Sequence, residues 1–221
     1  MVYLVLGVFF YLNLQVASFQ AQYVPGVEIT ISPLATMLVF IVPAITTRLL
    51  AEERRLGTIE LLLTAPVRDW ELVIGKWLGA FLLLMTVVGI TIVYPLMLNR
   101  LVSPGIDQGP LVSGYLGLTL LCASLAAVGV WISSLFSNQI AAFVATLGGM
   151  IFLWWILNPI AMVANASGGG SNLIQFLDFS GHFYNNLLVG IIDLKDIVFY
   201  LSVTALGLFL GTLSIEIRRW G

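Results

Sequence analysis

Few side chains in this 221-residue chain could do chemistry, and their spacing removes most of what they could do. The single His182 has Asp178 and Tyr184 close by in sequence, which raises a metal or proton site. One His and one Cys cannot assemble the four ligands of a zinc centre, however, so His182 reads as an interfacial residue without a catalytic role. Cys122 lies inside an apolar run with no second cysteine to pair with, so the chain forms no internal disulfide and its redox compartment is not readable. Asp178 and Asp193 read as loop or cap residues rather than a carboxylate pair. Ser124, Ser133 and Ser134 sit in apolar stretches with no His or Lys beside them to act as base; they read as hydrogen-bonding groups between helices. Gly168, Gly169 and Gly170 are followed by Ser171 and Asn172, not by the lysine that a phosphate-binding loop needs, so the run does not read as a nucleotide site.

What remains is residues 51–71, AEERRLGTIELLLTAPVRDWE, which hold three of the nine Lys and Arg residues and five of the eleven Asp and Glu. Arg54 and Arg55 suit the negative end of a helix dipole, and Gly57 can supply the left-handed residue that stops the helix. Thr58 can cap a short new helix with Glu60 near its positive end, and Pro66 closes it within two turns. Asp69 is then expected to cap the following helix, with Glu71 in its first turn. The result is an apolar knob of Ile59, Leu61, Leu62 and Leu63 between the charged flanks Glu52, Glu53, Arg54, Arg55, Glu60 and Arg68. Such a knob facing water calls for a groove on a partner, with the charges supplying register rather than affinity. The alternative is an interfacial helix lying among lipid headgroups with no protein partner.

The elements that must position this segment follow from composition. With 60% hydrophobic residues, 9% charged residues and a mean hydropathy of +1.04, the chain is an integral membrane protein, not a soluble domain. Its length accommodates about six helical spans of roughly 20 residues each. The pattern predicts a single all-α transmembrane domain over 1–221, with spans at 2–19, 33–56, 72–98, 112–136, 140–163 and 197–215. Phe9, Phe10 and Tyr11, without a positive flank before them, mark the first segment as a retained span and not a signal peptide. The polar stretch Gln20 to Thr30 reads as a loop. Pro95 falls near the end of the third span, and the Asn158-Pro159 pair is expected to kink the end of the fifth. Ser137, Asn138 and Gln139 make a tight turn between the fourth and fifth spans. Gly148, Gly149, Ala141, Ala142 and Ala145 form a small-residue face on the fifth, and Trp154 and Trp155 read as an interface belt. Residues 164–196 are too short and polar to span but aromatic enough to lie at the interface as short helices.

Six spans put both termini on one side. Arg48, Arg54, Arg55, Arg68, Lys76, Arg218 and Arg219 fall on the side of the 51–71 segment, against Arg100 and Lys195 opposite, so the segment and both termini are expected in the cytoplasm. No basic tail for nucleic acid is present. The spans hold almost no ionisable residues, which argues against an intramembrane enzyme and against an ion or proton path.

The run GTIELLLTAPVRDWELVIGKW resembles the cytoplasmic coupling-helix region of type 2 ABC exporter permeases, in the branch of the gliding-motility permease GldF. LKDIVFYLS leading to a terminal RRW, and the aromatic segment before it, resemble the same branch. The resemblance implies a permease subunit without an ATPase site of its own, in the cell inner or plasma membrane. It implies a second permease copy or a paralogue, and two cytoplasmic ATP-binding subunits that hold the ATP and Mg. A periplasmic or membrane auxiliary protein of the gliding-motility type is a further implied partner. Carried over by motif, Glu53, Gly57, Thr58, Glu60, Leu62 and Pro66 would form the transmission element. Members of that family begin with a cytoplasmic amphipathic helix; here either that helix would precede Val2 or this member dispenses with it. A membrane scaffold without transport remains the alternative reading, ahead of a membrane-embedded enzyme.

Overall fold

Apolar runs punctuated by Pro, Gly and short polar turns fold into nine α-helices among the residues that the computed structural model describes, 2–19, 26–55, 68–102, 105–166 and 176–219. The first, α1, is Val2–Phe19, as the sequence predicts. α2 is Glu28–Arg55 and starts ahead of the expected Pro33. The carbonyl of Val27 accepts the N–H groups of Thr30 and Ile31, both at 3.1 Å, and Glu28 stands at the positive end of the dipole. Pro33 therefore falls in the second turn, where it removes a single helical hydrogen bond.

The predicted third span is two helices, α3 at Asp69–Ile90 and α4 at Val93–Leu101. Pro95 has no N–H for the carbonyl of Thr91. The N–H of Tyr94 takes that carbonyl instead, at 3.1 Å, while the Thr91 hydroxyl donates to the carbonyl of Val88 at 2.6 Å. The break is thus satisfied internally, as a lipid environment requires. α5 is Gln108–Leu135, capped by Asp107, whose carboxylate accepts the N–H of Gly109 at 2.9 Å.

Asn138 caps α6, Gln139–Ile151, by accepting the N–H of Ile140 at 2.9 Å, which makes the expected tight turn. A π-helical turn, Phe152–Ile156, then leads into α7, Leu157–Ala166. The distortion lies ahead of Pro159, where the N–H of Leu157 reaches back to Phe152. That turn separates the two tryptophans: Trp155 is 41% exposed, but Trp154 is buried at 2%. The expected belt is corrected there, because Trp154 packs on Phe183 and Tyr184 with ring centroids at 6.1 and 5.6 Å. α8, Phe179–Asn185, is capped by Asp178 and followed by a 3-10 turn, Leu187–Val189. Asp193 accepts the N–H of Lys195 at 3.1 Å at the start of α9, Leu194–Arg219. Both aspartates are cap residues, as read from the sequence.

Five stretches are long and apolar enough to cross a membrane: Glu28–Leu49, Asp69–Leu101, Gln108–Leu135, Gln139–Ile160 and Leu194–Ile217. α1 supplies a shorter apolar run, Val2–Val16. Apolar side chains such as Leu82, Ile140, Val163 and Phe209 are exposed on the outer faces, as a multi-pass membrane protein demands. α5 is the exception, with 78% of its apolar window buried against 28% for the window of α9. It packs on α2, α3, α6 and α9.

Small residues make that central place possible, because helices in lipid associate through close packing without a hydrophobic drive. A Cβ on Gly129 would overlap the side chain of Thr46 on α2, and one on Gly117 would lie 3.1 Å from Leu187 and Phe183. Gly207 on α9 is closest to backbone: an added Cβ would stand 2.9 Å from the carbonyl carbon of Ala127. Backbone cannot swing aside as a side-chain tip can. Gly207→Val is therefore expected to separate α9 from α5 at a cost of about 1–3 kcal/mol, read as a lowered melting temperature of the purified protein in detergent. Gly79→Ala, where nothing lies within 4 Å, should leave the melting temperature unchanged.

Candidate functional site

The 51–71 segment connects the last turn of α2 to the first turn of α3. Gly57, Thr58, Ile59, Glu60, Leu61, Leu62, Leu63 and Pro66 lie outside the described residues. Glu53, Arg54 and Arg55 are in the last turn of α2, as the dipole argument expects for the two arginines. Arg68 is exposed and immediately precedes α3. The cap expected at Asp69 is corrected by one residue. Arg68 holds the N-cap position in an extended conformation, and Glu71 at the third helical position accepts the Arg68 N–H at 3.0 Å. A carboxylate that reaches back from there performs the capping, so Asp69 is left inside the first turn, where its charge still suits the positive end.

The two helices that carry the segment are both fastened to α5. On the α2 side, the Ser133 hydroxyl donates to the carbonyl of Thr47 at 3.4 Å and accepts the N–H of Ala51 at 3.2 Å. Ser133, Thr47 and Ala51 are all buried. On the α3 side, the Trp77 indole N–H donates to the carbonyl of Ala123 at 2.9 Å. Between them, Val73, Val130 and Ile215 form a buried apolar cluster, with Leu49, Leu72, Trp77 and Leu208 packed around it. Four helices therefore meet just above the segment, and α9 adds a bond from the Ser214 hydroxyl to the carbonyl of Ser134 at 3.4 Å.

The reading of the serines as interhelical bonders holds for Ser133. Ser124 and Ser134 turn back on their own helix instead, donating to the carbonyls of Leu121 at 3.0 Å and Trp131 at 2.6 Å. On the small-residue face of the fifth span Ala142 is buried and Gly149 packs on Ile132, while Gly148 meets nothing within 4 Å. Ser133→Ala removes a bridge between buried groups and should lower stability by about 1 kcal/mol, measurable as a shift in the denaturation midpoint.

A second polar cluster lies at the opposite end. His182 Nδ1 is 2.6 Å from Asp196 Oδ1, and its Nε2 is 2.9 Å from the carbonyl of Phe176. A carbonyl only accepts, so Nε2 is the donor to Phe176, and Nδ1 faces the Asp196 carboxylate. Asp196, 1% exposed, also accepts from Asn186 Nδ2 at 2.9 Å. The ring stacks on Phe199 with centroids at 4.3 Å. Nearby, Asp178 accepts from Asn158 Nδ2 at 2.6 Å and from the Ser180 hydroxyl at 2.7 Å, and Tyr200 donates to the carbonyl of Phe179 at 2.9 Å.

This cluster buckles α8 to α7 and α9. Sequence reasoning considered His182 beside Asp178 and missed Asp196 as its partner. The available signal was that Asp196 opens an apolar helix, a costly place for a carboxylate without a partner. No group of three or more metal-ligating side chains occurs among the described residues. His182→Leu leaves the buried Asp196 with Asn186 alone, for an expected loss of about 2 kcal/mol, checked by thermal denaturation against Lys195→Ala as a surface control.

The two helices that flank residues 56–67 in the chain are thus both fastened to one central helix. A family model described as ABC-2 family transporter protein matches residues 9–181, from α1 through the start of α8. No curated protein matches the chain.

Proposed function

The chain belongs to the ABC-2 transporter family, and we propose that it is the permease subunit of an ATP-driven exporter, worked by two cytoplasmic ATP-binding subunits that seat on residues 51–71. The family match supports this reading most, because it spans the segment and the two helices that carry it. In the proposal, Ile59, Leu61, Leu62 and Leu63 fill a cleft on each ATP-binding subunit. Each such side chain contributes about 1.5–3 kcal/mol when fully buried. Glu53, Arg54, Arg55, Glu60 and Arg68 set the register around them, while Gly57, Thr58 and Pro66 delimit the knob. ATP and Mg belong to the partner, and this chain contributes the docking element.

A second copy of the chain or a paralogue completes the permease, and a gliding-motility-type auxiliary protein is a further partner of the branch that the sequence resembles. The excess of Lys and Arg on the side of the segment supports a cytoplasmic position for it and for both termini. Leu62→Asp puts a charge where the proposal buries a methyl-bearing side chain, and Glu60→Lys reverses a registering charge. Each variant should insert normally and fail to co-purify with the ATP-binding subunit, with Leu62→Asp weakening the association about a hundredfold or more. An intact complex with undiminished ATPase activity in both variants would overturn the assignment.

A further inference from the structure

The end of the bundle nearest residues 51–71 carries a second device. A groove of about 320 Å³ runs between α2 and α6, lined by Ala44, Thr47, Arg48, Gln139, Ile140 and Phe143. We propose that this groove is a binding site for an anionic glycerophospholipid of the leaflet on that side, with Arg48 and Gln139 holding the phosphate and the apolar track above them holding an acyl chain.

The polar end is built for an anion. Arg48 is exposed and lines the groove. A guanidinium presents a fork of donors that matches two phosphate oxygens at once. The Thr47 hydroxyl proton is committed to the carbonyl of Pro43 at 2.7 Å, so the guanidinium and the Gln139 amide are the donors that line the groove. The positive end of α6, a 13-residue helix capped at Asn138, opens beside them.

The apolar end is built for hydrocarbon. Ala44 stands one turn along α2 from Arg48, about 6 Å of helix at 1.5 Å per residue, with Ile140 and Phe143 lining the groove from α6. Beyond it Phe40, 48% exposed, packs on Trp155 with ring centroids at 5.8 Å. Ile140 and Val144 on α6 are exposed at 74% and 62%. A soluble anion would use the guanidinium and waste this wall; a lipid uses both. Only the identity of the leaflet rests on the orientation proposed above. The groove does not depend on the coupling assignment.

The chain is purified into nanodiscs of equimolar phosphatidylglycerol and phosphatidylethanolamine, and the lipids it retains are counted by native mass spectrometry. The wild type should retain phosphatidylglycerol in preference to phosphatidylethanolamine. Arg48→Ala should reduce that preference about fivefold, the effect of one basic residue at an anionic surface. Ala44→Phe, which blocks the track with the guanidinium intact, should reduce it as well, while Arg100→Ala at the far end should not. An unchanged preference in Arg48→Ala overturns the proposal. So does a loss in Arg48→Ala with none in Ala44→Phe, which would reduce Arg48 to a surface charge. Displacement of the retained lipid by millimolar inorganic phosphate would identify a free anion as the ligand and overturn it equally.

Discussion

Close approach of backbones around α5 is the constraint on which the rest of this structure depends. Lipid tails solvate leucine as well as another leucine does, so helices in a membrane gain little from burying apolar surface against each other. They gain from contact density, and contact density requires small residues where helix axes come near. α5 supplies Gly117, Ala123, Ser124, Ala126, Ala127, Gly129 and Ser133 in one helix, and every one of them is buried. α9 answers with Gly207 against Ala127, and α2 answers with Thr46 against Gly129. Because α5 is wrapped on several sides, it can hold its neighbours in fixed relation through close backbone contact.

That arrangement decides how the 51–71 segment is held. Its two supports, α2 and α3, barely need to touch each other, because each is fixed to α5 by a hydrogen bond to buried backbone and by the cluster of Val73, Val130 and Ile215. A displacement of either support is then paid for at α5. The polar contacts involved are few, and each replaces a bond that the low-dielectric interior would otherwise leave unmade. Ser133 illustrates the economy, since one hydroxyl both donates to Thr47 and accepts from Ala51.

Much of the architecture was legible in the sequence because hydropathy and turn residues act locally. The runs that became α1, α5, α6 and α9, the turn at Asn138 and the caps at Asp178 and Asp193 all follow from residues a few positions apart. Several of the misses depend on groups distant in sequence. Trp154 looks like a belt residue until α8 covers it. The third span looks continuous because the carbonyl that Pro95 abandons is re-satisfied by Tyr94 and the turn is buttressed by Tyr115 from α5, 3.3 Å from the Thr91 hydroxyl. The small-residue face read on the fifth span is used at Ala142 and Gly149, and a longer one is spread along α5 among alanines and serines. At the candidate site, the charge pattern identified the segment and its flanks, but the one-residue error at Asp69 shows that a capping side chain can act from inside the helix as well as from its boundary.

The two ends of the bundle differ in how they are held together, and the difference bears on how a push at one end would be felt at the other. At the 51–71 end, α2, α3, α5 and α9 share one apolar cluster and continuous helical hydrogen bonding. Toward the other end, α3 gives way to α4 at Thr91 and Ile92, α6 passes through a π turn into α7, and α8 lies across the bundle on the His182–Asp196 and Asn158–Asp178 contacts. Interrupted helices are where backbone angles can change at least cost, because the regular ladder is already broken there. On the coupling proposal, force entering at the uniform end would meet its easiest rearrangement at the interrupted one. The His182–Asp196 contact ties α8 to α9 at that interrupted end, so any rearrangement there has to carry the pair along or break it.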